Sequence, residues 1–314
     1  MQRIGFLVYP GFQIMSLAAV SAFEFANIQL GEQAYEIRYV SETGGPVPSS
    51  LSMIIHTEAF GDPAFDTLIV SGAPDIRLPT AGEAAFIREA ADASRRLASI
   101  CTAAFLLADA GVLDGRRVTT HWHLARELKS RYPAIKLDED RIFIVDGSIW
   151  TSAGMTAGLD LALAMVENDH GADVARAVAR KLVVYHRRAG GQSQFSTLLD
   201  LEPKSDRIQK ALTYARSNLT SALSVEELAD AAHLSPRQFS RTFRSETGQS
   251  PAKAVENLRL EAARLMMEQG RHPIDVVARE TGFADRERMR RAFLRAFGQP
   301  PAVIRRNAQS ELVA

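Results

Sequence analysis

Short apolar runs alternate with helix-spaced segments through the first half of the chain and then stop. IGFLVY (4–9), YEIRYV (35–40), DTLIVSG (66–72), LASIC (97–101), RIFIVD (141–146) and SIWTSAG (148–154) have the length and β-branched content of strands. Between them lie helical patterns such as GEAAFIREAADASRRL (82–97). Strands interleaved with helices of this length predict an α/β domain whose parallel sheet is covered on both faces. Around HRRAGGQSQFSTLLDLEPKSD (186–206) the pattern gives way to Gly, Ser, Gln and Pro. That break predicts a first domain over 1–195, a linker over 196–207 and a second domain over 208–308.

The last hundred residues carry only helical spacing, and they repeat. VEELADAAHLSPRQFSRTFRSETGQSP (225–251) aligns with IDVVARETGFADRERMRRAFLRAFGQPP (274–301), with Leu228 over Val277, Ala229 over Ala278 and Leu234 over Phe283. After one inserted residue, Phe239 falls over Met289, Phe243 over Phe293, Gly248 over Gly298 and Pro251 over Pro301. Each copy reads as helix, tight turn, helix. Ser224 with Glu227 has capping-box spacing, Ser235 stands before Pro236 and Gln238 as a cap, and Asp285 takes the corresponding place in the second copy. Gly248 and Gly298 stand where helices stop. Between the copies, SPAKAVENLRLEAARLMMEQG (250–270) has apolar residues at 255, 258, 262 and 265. That is the spacing of one helix face, and it predicts a long helix that fixes the distance between the units.

A helical wheel gives the repeat a use. Phe239 and Phe243 mark the buried side of the first unit's second helix, which turns Arg237 and Arg241 outward with Ser240 and Arg244 beside them. Met289 and Phe293 do the same in the second unit, turning Glu287 and Arg291 outward between Arg288, Arg290 and Arg295. Arginine pairs with guanine O6 and N7, glutamate accepts from cytosine N4, and surrounding arginines reach phosphates. Both faces therefore predict helices that enter the DNA major groove. Two merely solvated helices are the alternative. The charge distribution favours DNA: 37 Lys+Arg balance 37 Asp+Glu overall, yet residues 204–314 carry net +6 and residues 1–203 net −6.

Composition narrows the setting. With 314 residues, 46% hydrophobic and 24% charged, the chain is globular and long enough for two domains. No uncharged apolar run reaches the roughly 18–20 residues of a membrane helix, and MQRIGFLVYPG lacks the regions of a signal peptide. A cytoplasmic protein with no membrane partner is expected. One cysteine cannot form an intrachain disulfide.

That cysteine, Cys101, lies in SICTAAFLLADAG, where a strand runs into a sharp turn and then a helix. Ser99 and Ala103 supply the small residues that a nucleophile elbow requires two positions to either side. The dipole of the following helix predicts a modestly lowered thiol pKa. His121 and His123 in TTHWH are candidates for an assisting base or, with Cys101, for zinc, but no fourth ligand is evident. No metal and no cofactor is expected. Cys101 reads either as a packed core residue or as a half-exposed residue lining a small-molecule pocket.

Residues from about 208 to 306 resemble the DNA-binding domain of AraC/XylS-type transcription regulators, in LSPRQFSRTFRSETGQSP and VVARETGFADRERMRRAFLRAFGQPP. Met289 stands where Phe or Leu is frequent in that family. The resemblance implies an all-α domain of seven helices whose two helix-turn-helix units contact successive major grooves of promoter DNA, with RNA polymerase as a further partner. Residues 1 to about 195 resemble the DJ-1/PfpI-type, class I glutamine amidotransferase-like fold, in IGFLVYPGFQ, LIVSGAP, SICTAAFLLADAGVLDGRRVTTHW and GGQSQF. The resemblance is strongest to the branch fused to AraC-type domains and to isocyanide hydratase-like enzymes. It implies a flavodoxin-like parallel sheet sandwiched by helices, a homodimer, and an amine or amino-acid-derived effector.

Two departures bear on activity. Ser16, in FQIMSLAAVSAF, stands where enzymatic members place an acidic residue, and Thr102 stands where protease-like members have histidine after the cysteine. The expected protein is a DNA-binding regulator whose first domain is catalytically inactive and binds its effector beside Ser16, Gly72, Ala73, Cys101 and Thr102, at the carboxyl ends of the strands. Two rivals stand beside it. One is a cysteine-dependent hydrolase or hydratase fused to a DNA-binding module, and the other is a redox sensor acting through a Cys101 sulfenic acid.

Overall fold

The computed structural model describes residues 1–184, 190, 194, 205–268, 272–297 and 299–306. The chain divides into two compact units, Met1–Gln194 and Phe195–Val313. Most of the expected linker, the greater part of GGQSQF and Gly298 lie outside the described residues.

The first unit is built on an eight-stranded sheet. Its strands are β1 (Gln2–Leu7), β2 (Tyr35–Ser41), β3 (Thr43–Pro48), β4 (Ile54–Ala59), β5 (Thr67–Val70), β6 (Arg96–Ile100), β9 (Phe143–Asp146) and β10 (Ile149–Ser152), in the order β3-β4-β2-β1-β5-β6-β10-β9. Short β7 (Arg117–Val118) and β8 (Lys136–Leu137) form a separate parallel pair. β5 and β6 are buried at every residue, because helices cover both faces of the sheet. Those helices are α1 (Ala18–Leu30), α2 (Ala81–Ala93), α3 (Ala103–Asp109), α4 (Trp122–Arg131), α5 (Thr156–His170) and α6 (Ala172–Lys181). A 3-10 turn at Ile14–Leu17 precedes α1.

The expected parallel sheet forms the centre, and an antiparallel strand is added at each edge. β4-β2-β1-β5-β6-β10 run parallel, but β3 pairs antiparallel with β4, and β9 pairs antiparallel with β10. Only Gly147 and Ser148 separate β9 from β10, too few residues for a crossover, and Gly147 takes φ +62° to close the hairpin. β3, TGGPVP, gave no strand signal because Gly and Pro are depleted in strands. At a sheet edge Pro46 and Pro48 are tolerated and block further pairing.

α2 also stops earlier than its periodicity predicts. Ser94 is extended at ψ 147°, and Arg96 belongs to β6. There the guanidinium is buried, with Nε donating to Thr67 Oγ1 at 2.9 Å and Nη2 donating to Asp169 Oδ2 at 2.6 Å. Asp169, in the last turn of α5, also accepts from Arg95 Nη1 and from the Tyr35 hydroxyl, both at 2.9 Å. The cluster fastens α5 to β2 and β6.

The second unit is helical: α7 (Asp206–Ser217), α8 (Val225–Ala231), α9 (Pro236–Thr247), α10 (Pro251–Glu268), α11 (Ile274–Glu280), α12 (Arg286–Phe297) and a seventh helical segment at 301–306. Capping boxes form at Ser224 with Glu227 and at Ser235 with Gln238, Pro236 opens α9, and Asp285 Oδ1 accepts from Arg288 N at 2.7 Å. Gly248 ends α9 with φ +72°. Long α10 does not bury one face, as spacing at 255, 258, 262 and 265 implied. Ala254, Val255 and Leu258 enter one apolar cluster with Phe239 and Phe243, whereas Leu260, Ala263 and Met267 enter another with Met289 and Phe293. Ala262 and Leu265 are only half-buried. The helix serves two cores in succession, so its apolar face shifts midway.

The Asp169 cluster generates a stability prediction. Asp169→Ala strands Arg96 in the interior without its carboxylate and should cost about 3–5 kcal/mol in urea unfolding. Burial alone would raise the Asp169 carboxyl, but the hydrogen bonds and charges of Arg96, then Arg95, outweigh it and hold it below the ordinary value. A lowered folded-state pKa means stability that is complete above the unfolded-state value and is lost as pH falls through the folded one. The wild type should therefore lose stability in acid more steeply than Asp169→Asn.

Candidate functional site

Cys101 occupies a strained turn. β6 ends at Ile100, Cys101 takes φ +57°, and α3 begins two residues later. Such a backbone is rare outside glycine and persists only when its surroundings fix it. Here they do. Cys101 N donates to Ser152 O at 3.1 Å, and the Thr120 hydroxyl donates to Cys101 O at 2.9 Å. Neighbouring turns press in from two sides. A Cβ at Gly154 would lie 2.1 Å from Cys101 Cβ, and one at Gly72 would lie 3.0 Å from it and 2.8 Å from Ile100 O. Ser99 and Ala103 are wholly buried.

The five residues expected at the ligand site come together. Ser16 Oγ accepts from Gly72 N at 3.2 Å, while Gln13 N donates to Gly72 O at 2.8 Å. Thr102 Oγ1 accepts from Ala73 N at 2.7 Å and donates to Ala73 O at 2.9 Å. The two hydroxyls that replace the assisting acid and histidine are thus both bound to the backbone of the turn after β5. Exposed Met15, Trp122 and Met155 neighbour this region in sequence, next to Ser16, Thr120 and Gly154 respectively or one residue removed.

Of the two readings of Cys101 the structure has the packed one, since the residue is 4% exposed, and the expected lowering of its thiol pKa fails, because burial pushes it up to about 11. The backbone hydrogen bond from Thr102 opposes this and is too weak. Desolvation of the thiolate is the larger effect at this buried turn. His121 caps α4, its Nδ1 accepting from His123 N at 3.4 Å, and burial followed by the proximity of His123 lowers its pKa. Among the described residues, no group of three or more His, Cys, Asp or Glu is placed to hold a metal ion.

Gln194 was missed by sequence reasoning, which saw only a Gly/Ser/Gln-rich boundary. Its Nε2 donates to Thr120 O and its Oε1 accepts from Trp122 N, both at 2.8 Å, while Asp140 Oδ1 accepts from its own N at 2.8 Å. It pins the segment whose Thr120 holds Cys101. Only its occurrence in GGQSQF marked it.

In the second unit the second helix of each repeat buries the expected side: Phe239 and Phe243 in α9, Met289 and Phe293 in α12. Arg237, Arg241 and Arg244 are exposed, Ser240 is half-buried, and none of these three arginine side chains makes an ion pair among the described residues. α12 differs. Glu287, expected to stand free for a cytosine, accepts from Arg290 Nε and Nη2, both at 2.8 Å, and lies 3.8 Å from Arg291 Nε. Arg288 lies 3.7 Å from Asp285, and Arg295 donates to Glu256 of α10 at 2.8 Å. These opposite charges sit three or four residues apart or face each other across helices, so they pair on the exposed surface.

A cysteine elbow on an α/β sheet, joined in one chain to paired helix-turn-helix units with arginine-bearing second helices, defines a DNA-binding transcription regulator built on an enzyme-like fold. Residues 3–168 match the DJ-1/PfpI family model, and residues 228–307 match that of a helix-turn-helix domain. The HTH-type transcriptional regulator GbdR of Pseudomonas aeruginosa is 31% identical over 306 residues, spanning 96% of this chain and 83% of that one. An isonitrile hydratase of Pseudomonas putida is 32% identical over 184 residues, spanning 57% of this chain and 77% of its own. The crystal structure of an AraC family transcriptional regulator from Pseudomonas putida shares the fold, with TM-score 0.53 and 22% identity, covering 58% of this chain and 100% of that one. The chain belongs to the AraC-type transcriptional regulators that carry a DJ-1/PfpI domain. No described helix is long and apolar enough to cross a membrane.

A thiol at about 11 leaves roughly one molecule in ten thousand ionised at pH 7. Iodoacetamide should modify native Cys101 slowly, with a rate that rises about tenfold per pH unit up to that value. Fast, pH-independent labelling at pH 7 would contradict the buried assignment.

Proposed function

We propose that this regulator binds promoter DNA through Arg237, Ser240, Arg241 and Arg244 in one major groove and Glu287, Arg288, Arg290 and Arg291 in the next, under control of a small molecule held beside Cys101. The unit over residues 1–195 senses the effector and performs no catalysis. One observation carries that half of the reading: the Ser16 and Thr102 hydroxyls, standing where catalytic partners are expected, both bind the 72–73 backbone, and the thiol beside them is held protonated by burial. Exposed Met15 and Met155 directly precede and follow, in sequence, residues that build the elbow region, Ser16 and Gly154, and exposed apolar side chains so placed support a ligand mouth. The effector class, an amine or amino-acid-derived metabolite, rests on family resemblance, as do the homodimer, RNA polymerase as partner, and a cytoplasmic location.

A second reading, cysteine-dependent hydration or hydrolysis, draws on the likeness to isonitrile hydratase and on the left-handed backbone at Cys101. Thermal-shift screening of the full chain against amines and amino acids finds the ligand, since a ligand at 100 times its Kd adds about 2.7 kcal/mol of stability, and a turnover assay on that ligand separates the two. We expect a selective hit, with Cys101→Ser folding, binding DNA and altering the effector response. Multiple turnovers abolished by Cys101→Ser would replace this reading with the enzymatic one.

DNA binding should fall steeply with salt, because each arginine on a phosphate releases a counterion. Arg241→Ala should cost about 1–3 kcal/mol at the preferred operator and relax one base position. Arg291→Ala should cost less, since on DNA Arg291 exchanges one partner, Glu287, for another. Equal weakening on every sequence would make both residues phosphate contacts.

A further inference from the structure

The two helix-turn-helix units have separate apolar cores. α10 contributes to both, Ala254, Val255 and Leu258 to the first and Leu260, Ala263 and Met267 to the second. Arg259 lies between these sets, and its contacts are polar. Its Nε donates to Leu219 O at 3.0 Å and its Nη2 donates to Ser221 O at 2.6 Å. Both carbonyls belong to the loop that leads from α7 into α8, the first helix of the first unit. Arginine suits the task because its planar fork engages two acceptors at once, whereas lysine offers a single rotating point charge.

The second unit closes on the same carbonyl from the other side. Gly282, in the turn between α11 and α12, has φ +79°, and a Cβ there would lie 1.8 Å from Leu219 O and 2.7 Å from Arg259 Nε. Its counterpart in the repeat is His233, with φ +54° and an exposed side chain. Both turns therefore have left-handed backbone, but only the second has no room for a side chain. One turn earlier in α10, Glu256 accepts from Arg295 of α12 at 2.8 Å. Adjacent turns of α10 thus hold the entry loop of one unit and the recognition helix of the other.

We propose that Arg259 is a positioning residue that sets the spacing between the two DNA-reading helices, and that the operator's spacing requirement resides in its junction with Leu219, Ser221 and Gly282. The proposal rests on both units reading DNA. Two helices reading successive major grooves on one DNA face need a separation matched to about one turn of the duplex, as it lies in the complex. With no shared apolar core, that distance depends on the continuity of α10 and on these polar contacts. A rigid pair rejects an inserted base pair, and a loosened pair adapts to it.

The test uses the full chain and duplexes enriched by the wild type from a random library. Footprinting locates the two contacted grooves, and binding is then measured with one or two base pairs inserted between them. The wild type should lose about tenfold or more per insertion and Arg259→Ala about threefold or less, with the unaltered duplex bound within about tenfold of wild type. Arg259→Lys should fall between. Hydrogen exchange without DNA gives an independent readout: Arg259→Ala should speed exchange over 219–224 and 281–285 and leave the segments around Phe239 and Met289 protected. An undiminished insertion penalty together with unchanged exchange overturns the proposal. If Arg259→Ala does not fold, the same two results in Arg259→Lys overturn it. If the wild type enriches no duplex, the reading of DNA by both units fails, while exchange still decides whether Arg259 holds the junction.

Discussion

The first unit depends on a steric constraint around one residue. The turns after β5, β6 and β10 converge so closely that Cys101 must adopt left-handed backbone and Gly154 cannot carry a Cβ. Hydrogen bonds then fix the convergence: Ser16 and Thr102 hold the 72–73 turn, and Thr120 holds Cys101 itself, with Gln194 behind it. The same crowding that makes an elbow also desolvates the sulfur, which is why its thiol pKa rises. Elbow geometry and nucleophile activation are thus separable. A charged or basic neighbour must be added to the first to obtain the second.

In the second unit the repeat is exact in fold and unequal in chemistry. Both copies place two large apolar residues inside and arginines outside, but α9 presents its arginines free among the described residues, whereas α12 engages its own with Glu287, Asp285 and Glu256. Exposed pairs of this kind are individually worth only about 0–1 kcal/mol, so DNA phosphates can displace them at small cost. The two helices consequently present differently engaged arginines at their surfaces. α10 carries the asymmetry further, because the side it buries changes where one core ends and the next begins.

Much of this was legible in the chain. Buried central strands announced themselves as continuous apolar runs, and the caps at Ser224, Ser235 and Asp285 formed as their spacing required. The elbow followed from small residues flanking Cys101. The misses share a cause. β3 is stabilised by pairing rather than by propensity, and the antiparallel β9 follows from the two-residue link through Gly147. Gln194 acquires its importance only from partners more than fifty residues away.

Local order therefore came from the sequence alone: the central strands, most helices, the caps and the outward arginines depend on residues within a few positions of one another, and the repeat shows that local pattern twice. Tertiary structure decided what depends on distant neighbours. Burial sets the ionisation of Cys101, the approach of Leu219 O makes glycine necessary at position 282 though not at position 233, and Asp169 anchors an arginine that periodicity assigned to a helix. Desolvation, steric exclusion and ion pairing act through space, and the linear pattern does not state which residues will share that space.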